Sequence, residues 1–448
     1  MDSSFTKDNI WISIYRMSIP MLIIMFSQFL LGIVEIYAAG KLGPEVQSAV
    51  GFSMQICFVL LILANAVSIG SLSMISRAIG AGDFHQAVII ANQSLIFGLS
   101  LAISLPLIII NLSAEIVVFA GFPHEISGIA RDLLSIHGIA IANSYMLIIS
   151  TAIFRASGEV RRSLFVMVMT NLLNITLIFP LTFGLDGIFD GLGYKGLAYS
   201  LLVSTGCGFL TCLYFFSDKN WRAIYKIPIR IDLGYLKKIL SISWPSAIMQ
   251  FAWHSGTVFL MNILGKIEDG GVVGIAAMTN GLRIESIIYL PVFALNMSAS
   301  VLIGQNLGAR QQERAEKIGW MLALTGVLIV SLLSLVIFIF AHQIAGILTD
   351  NPDLRDETVR YLYFNLAAEP LMAIGVILAG GLQGAGDTKG VMKIIISCMW
   401  IIRIPLAYLL AIKLMWGALG VWVAMVVSMS FQGILIAMRF KNGRWKNL

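Results

Sequence analysis

The sequence predicts an all-α, polytopic membrane protein: twelve transmembrane helices in two pseudo-symmetric six-helix bundles. Three observations predict it. Hydrophobic residues make up 58% of the 448 positions and charged residues only 12%, against about 25% in a typical soluble domain. Mean hydropathy is +0.88. Apolar runs reach the roughly 20 residues a helix needs to cross a bilayer, whereas the strands of a membrane β-barrel alternate over about ten. Finally, the chain repeats itself at a nearly constant offset. A soluble fold needs a polar shell, so a cytosolic enzyme, a disordered scaffold and a disulfide mini-protein are all excluded.

The apolar runs give spans at 14–38, 49–76, 87–111, 128–153, 163–185, 194–216, 241–264, 273–303, 318–341, 359–382, 391–412 and 415–438. The leading MDSSFTKDNIWISIYR lacks the basic start and small-residue cleavage site of a signal peptide, so the first span is expected to be retained. Cys57, Cys207, Cys212 and Cys398 lie in apolar runs without C-x-x-C spacing, which implies neither a zinc site nor a disulfide framework. The formal charge of +6 is ascribed to basic loops rather than to a nucleic-acid partner.

With a cytoplasmic N-terminus, the inner segments hold 21 of the 30 Lys and Arg residues and the outer segments seven. Cytoplasmic loops carry such an excess, so both termini are expected inside. The remaining two, Arg283 and Arg403, fall within spans.

The repeat is read from four matches in order. Ser18-Ile19-Pro20 pairs with Ser243-Trp244-Pro245, and Ile79-Gly80-Ala81 with Leu307-Gly308-Ala309. Arg155-Ala156-Ser157-Gly158-Glu159 pairs with Gln383-Gly384-Ala385-Gly386-Asp387, and Pro180 with Pro405. This gives an N-terminal lobe at 1–216, a basic cytoplasmic linker at 217–240 with a surface helix around Leu236, and a C-terminal lobe at 241–448. Six helices per half is an even number, so the two halves share one topology.

On these motifs the chain resembles the multidrug and toxic compound extrusion (MATE) transporters over essentially its whole length. The sharpest are Gly304-Gln305-Asn306-Leu307-Gly308-Ala309 with Glu313-Arg314-Ala315, and Gly381-Leu382-Gln383-Gly384-Ala385-Gly386-Asp387-Thr388. Arg403-Ile404-Pro405 and the pattern Pro20, Gln28, Glu35, Gly40, Leu42, Gly43 complete the set. The resemblance implies an antiporter that expels organic, often cationic, compounds in exchange for sodium ions or protons by alternating access. Glu35 stands where many members have an aspartate. Asn174 matches a family asparagine, but no acid follows it through Pro180, and Trp253-His254 occupies a region where some members have a glutamate.

Ionisable groups inside a bilayer cost several kcal/mol and mark function by default. Glu35, Glu285 and Glu369 are the carboxylates well inside the spans. Glu35 has the family position. Glu369 precedes Pro370, which frees carbonyls one turn back. These two, with Asn174, are the candidates for cation or proton coupling, and a sodium ion at Glu35 or Glu369 is the one metal envisaged. Tyr37, Trp253, His254, Arg283 and Tyr289 are the candidates for a substrate cavity, Arg283 also as a partner for Glu369. Arg403 reads as a structural anchor, and His137 as a packing residue or proton relay. The remaining asparagines read as interhelical glue, and the 21 methionines suit an adaptable surface.

Gly191-Leu192-Gly193-Tyr194-Lys195-Gly196 spells a dinucleotide fingerprint but follows no strand, and no Walker A motif exists. The expectation is therefore an ion-driven exporter that is not an enzyme and carries no cofactor. It is expected as a monomer in the prokaryotic inner (plasma) membrane, with lipid and a small-molecule substrate as partners. The alternatives are a lipid-linked glycan flippase of the same superfamily and, further off, a channel or membrane enzyme.

Overall fold

The structure, a computed structural model, describes residues 4–119, 121, 123–185, 187, 189–227, 230–268 and 270–447; Pro228 and Ile229 of the expected linker lie outside them. Twelve long helices follow in order: α1 (Ile10–Lys41), α2 (Pro44–Gly80), α3 (Phe84–Phe119), α4 (His124–Ala156), α5 (Val160–Phe183) and α6 (Tyr194–Phe216). Then come α7 (Leu233–Gly265), α8 (Gly271–Gly308), α9 (Gln312–Ile339), α10 (Pro352–Gly384), α11 (Thr388–Lys413) and α12 (Ala418–Lys441). A short helix, Ala341–Leu348, follows α9, and a two-residue hairpin pairs Gly184–Leu185 with Phe189–Asp190. All-helical spans are what a bilayer demands, because a helix satisfies its own backbone groups where no water is present.

By length and composition, eleven helices among the described residues are able to cross a membrane. The other long one, α7, is diluted by Ser241, Ser243, Gln250, His254 and Ser255. Several helices outrun the predicted spans, because polar first and last turns continue the helix where hydropathy fades. The surface helix expected near Leu236 is the first turns of α7 itself. α11 contains two π-helical stretches, Ser397–Arg403 and Leu409–Lys413, on either side of Pro405. Proline removes a backbone donor and crowds the preceding turn, and widening the turn relieves both.

The chain forms two compact units, Met1–Lys7 with Ile23–Ser243, and Asp8–Leu22 with Trp244–Leu448. Two of the three divisions fall within three residues of Pro20 in α1 and Pro245 in α7, the first pair of the sequence repeat, and the third lies ahead of α1 at Lys7–Asp8. In the first unit α4 is the hub, packed on α2, α3 and α6. In the second unit α10 is the hub, packed on α8, α9 and α12. On α9, Leu324, Leu328, Leu332 and Leu335 form an exposed apolar stripe at helical spacing, suited to lipid.

The repeat reappears as local geometry. Four helices, α2, α4, α8 and α10, end in the same turn. At the first, Asp83 N–H donates to Ala78 O at 2.9 Å and Gly82 N–H to Ile79 O at 3.0 Å. The pattern recurs at Gly158–Glu159, Arg310–Gln311 and Gly386–Asp387. This is the Schellman motif, which requires a left-handed residue at the second-last position. Glycine fills it at Gly82, Gly158 and Gly386, and Arg310 fills it with φ 59°. Side chains then pin the turns. Asp387 accepts two bonds from Arg439, at 2.6 and 2.7 Å, and Glu159 accepts one from the Trp221 indole at 3.0 Å.

The linker is therefore partly docked. Trp221 is fully buried against Phe154 and Phe216, and Gln93 bonds both Arg230 O and Asp232 N–H. The Arg162 guanidinium, hydrogen-bonded to Asp218, holds that exposed carboxyl below its usual range.

Gly82→Ala is expected to cost roughly 1–2 kcal/mol, because a left-handed alanine is strained even though nothing lies within 4 Å of its new Cβ. Gly51→Ala, within α2 and equally open, is expected to gain about 0.5–1 kcal/mol. Thermal unfolding in detergent checks both, and a shift of the same sign in the two variants contradicts the turn assignment.

Candidate functional site

The second unit holds a buried ionisable cluster built on its hub. Helical spacing of three and four residues puts Tyr361, Asn365 and Glu369 on one face of α10, and Glu285 and Tyr289 on one face of α8. These two helices pack more extensively than any other pair in the molecule. Glu285 Oε2 accepts from the Tyr289 hydroxyl and from the Tyr361 hydroxyl, each at 3.1 Å. Glu369 lies within electrostatic reach of Glu285. Glu285, Asn365 and Glu369 are completely buried. Close approach at Gly281 makes this possible, since a Cβ there would lie 2.1 Å from the Tyr361 ring.

α11 adds Arg403, whose Nε donates to Ser428 Oγ of α12 at 2.6 Å and whose guanidinium sits 5.2 Å from the Trp253 ring centroid of α7. Four buried acceptor oxygens in this region take no hydrogen bond: Glu285 Oε1, Glu369 Oε1 and Oε2, and Asn365 Oδ1. Leaving a buried acceptor unpaired costs about 1–3 kcal/mol, more for a charged one. Oxygen acceptors of this kind suit a proton or a hard cation such as sodium. Among the described residues no group of three or more His, Cys, Asp and Glu side chains is gathered as a metal site.

The first unit has a smaller polar pair. Asn174 Nδ2 donates to Glu35 Oε1 at 3.3 Å, and Asn171 Nδ2 donates to Ser27 Oγ at 2.8 Å, so α5 reads out polar positions of α1. Asn174 Oδ1 is buried and takes no bond. Glu35 is half-buried.

The other sequence candidates are placed as follows. Tyr289 and Trp253 join the Glu285 cluster, and both are half-buried. Tyr37 is exposed, 6.4 Å from Phe179 between ring centroids and 5.5 Å from Lys41. His254 and Arg283 have exposed side chains. Arg283 forms no ion pair with Glu369: two positions from Glu285 on the same helix, it is turned to another face. Pro370 does not break α10, which continues to Gly384. His137 is buried with its Nδ1 2.7 Å from Ser53 Oγ. Tyr361, Asn365, Ser428 and the proximity of Arg403 went unread in the sequence. The signal for two of them was present, because Tyr361, Asn365 and Glu369 recur every four residues.

The repeat sharpens the picture. At the offsets of the sequence matches, Glu285, Asn365, Glu369 and Arg403 correspond to Cys57, His137, Ile141 and Ile178 of the first unit. The charged cluster was therefore built in one copy of the repeat only.

The MatE family model matches the chain twice, over residues 20–179 and 245–409, starting at the paired prolines Pro20 and Pro245. The chain belongs to this MATE transporter family. Among curated relatives, the probable multidrug resistance protein NorM of Thermotoga maritima is 26% identical, with 94% of this chain and 89% of that protein covered. An uncharacterized transporter, YisQ of Bacillus subtilis, is 23% identical, with 97% and 94% covered. The fold matches that of a MOP superfamily transporter from Pyrococcus furiosus with a TM-score of 0.90, at 23% identity over 99% of this chain and 98% of that one. It matches a multidrug resistance MATE family transporter equally well, with a TM-score of 0.90 at 24% identity over 98% of both. The MATE protein described here is thus an integral membrane transporter of small molecules and not an enzyme.

Tyr361→Phe removes one of the two donors to the buried Glu285 and is expected to lower stability by about 1.5–3 kcal/mol, as for a hydrogen bond to a charged group. Tyr363→Phe on the same helix is the control, and equal melting temperatures for the two variants contradict the assignment.

Proposed function

We propose that this MATE transporter is an ion-coupled antiporter that exports organic cations by alternating access, driven by a sodium or proton gradient. The observation that carries the reading is the fully buried Glu285–Glu369 pair with its unpaired oxygens. A charge left alone in such a place is costly, so the site favours a state in which a cation or proton occupies it. Two acids against one buried arginine also favour cationic cargo over the phosphate of a lipid-linked glycan. Glu35 with Asn174 is the corresponding coupling candidate in the first unit.

Tyr289, and Trp253 beside Arg403, are the aromatic substrate-contact candidates. Tyr37, His254 and Arg283, with exposed side chains, are the further substrate-contact candidates. No ATP site is needed, because a tenfold gradient of the driving cation is worth about 1.4 kcal/mol. Exchanged one for one, that sustains a substrate gradient of about tenfold. We place both termini in the cytoplasm on the strength of the loop charges, and assign the chain to the prokaryotic plasma membrane as a monomer.

Glu369→Gln and Glu35→Gln keep shape and hydrogen bonding but cannot hold a charge. Each is expected to reduce gradient-driven export of a fluorescent cation from proteoliposomes at least about tenfold, the rate effect of losing ~1.4 kcal/mol. Folding, followed by size-exclusion elution and thermal unfolding, is expected to be unchanged. Near-normal export by both variants overturns the carboxylate mechanism.

A further inference from the structure

We propose that Arg403 is a tethered counter-cation that leaves the Glu285–Glu369 site with one net negative charge, so that it takes up a single monovalent cation, proton or sodium, per transport cycle. The proposal rests on the antiport reading and adds the site's charge count to it.

The Arg403 guanidinium is held by its neighbours. Arg403 lies at the end of the π-helical stretch Ser397–Arg403 and is almost wholly buried. Ser428 takes its Nε at 2.6 Å, and the Trp253 ring faces it at 5.2 Å. Its charge acts on Glu285, Tyr289 and Tyr361, yet it forms no ion pair with either glutamate. A free arginine in a low-dielectric bundle would collapse onto a carboxylate and form two parallel bonds. Ser428 and Trp253 prevent that. The charge is therefore compensated through space, while the carboxylate oxygens stay open to a ligand.

The other ionisable groups near the cluster on α8, α10 and α11 do not alter the count, and His254, next to Trp253 on α7, has an exposed side chain. Glu357, also on α10, is paired with Arg360 at 3.1 Å and accepts from the Trp422 indole at 2.7 Å. Asp387 is paired with Arg439. Arg283 faces away from the cluster, and Cys398, Tyr289 and Tyr361 are neutral in their ordinary forms. Two carboxylates and one guanidinium thus remain. A net charge of one sign in a buried site demands one opposite charge from outside. Without Arg403 the same oxygens would demand two.

The test uses the full-length protein in proteoliposomes with the membrane potential clamped at zero. Under that condition the final substrate ratio equals the imposed cation ratio raised to the number of cations exchanged. One arm imposes a sodium gradient at equal pH, and the other a pH gradient without sodium; the arm that responds names the ion.

For a tenfold cation gradient, the wild type is expected to hold about a tenfold substrate ratio, Arg403→Lys about tenfold and Arg403→Gln about a hundredfold. Glu285→Gln is expected to lose the gradient although Glu369 is untouched, and Glu285→Gln combined with Arg403→Gln to regain about tenfold. A merely structural arginine cannot produce that rescue. A hundredfold ratio in the wild type overturns the proposal, and this result needs no variant to fold. So does a double variant that folds but holds no gradient. A wild type that responds in neither arm instead overturns the antiport reading.

Discussion

A charge enclosed by helices that are themselves enclosed by lipid has no water to relax into, and the second unit is arranged around that constraint. Glu285 receives two tyrosine hydroxyls, one from its own helix and one from α10. The second is reachable because Gly281 lets the Tyr361 ring lie against the α8 backbone. Arg403 is held near them by Ser428 and Trp253. Five helices, α7, α8, α10, α11 and α12, thus contribute to one electrostatic environment, centred on the extensive α8–α10 contact.

The repeat shows how such a site arises without changing the fold. The hub helices α4 and α10 occupy equivalent places in their units, and the turns after them share one hydrogen-bond pattern. Their interiors differ. Where one has Asn365 and Glu369, the other has His137 and Ile141, with His137 satisfied by Ser53. Backbone turns tolerate little variation, because φ above zero is costly for most residues. Interior side chains tolerate much, provided each polar group finds a partner. Duplication therefore preserved the frame, and the polar chemistry diverged within it.

Prolines and widened turns serve the same economy. Pro180, Pro245, Pro291 and Pro370 lie inside continuous helices, and Pro405 lies between two π-helical stretches. The stretch before Pro405 ends at Arg403. Each added residue per turn rotates the following side chains around the axis. The local irregularity and the placement of the buried charge are thus adjacent in the chain.

Much was legible in the sequence because its signals are local or additive. Hydropathy gave the spans, since transfer to lipid sums over about twenty residues. The repeat was legible because its motifs, Arg155–Glu159 against Gln383–Asp387 among them, recur at a nearly constant offset. The family motifs fixed the transporter class, and the three acids within the spans could be counted. What the sequence could not decide was which groups meet. Arg283 and Arg403 both lie within spans and look equivalent in the chain, but rotation about the α8 axis turns Arg283 outward, while α11 carries Arg403 toward Glu285. Likewise Glu35 and Glu369 looked alike, yet one meets an asparagine across a helix pair and the other is fully buried within electrostatic reach of a second carboxylate. Those outcomes depend on helix rotation and crossing, which arise from packing among residues far apart in the chain, so the tertiary structure alone determined the chemistry of the site.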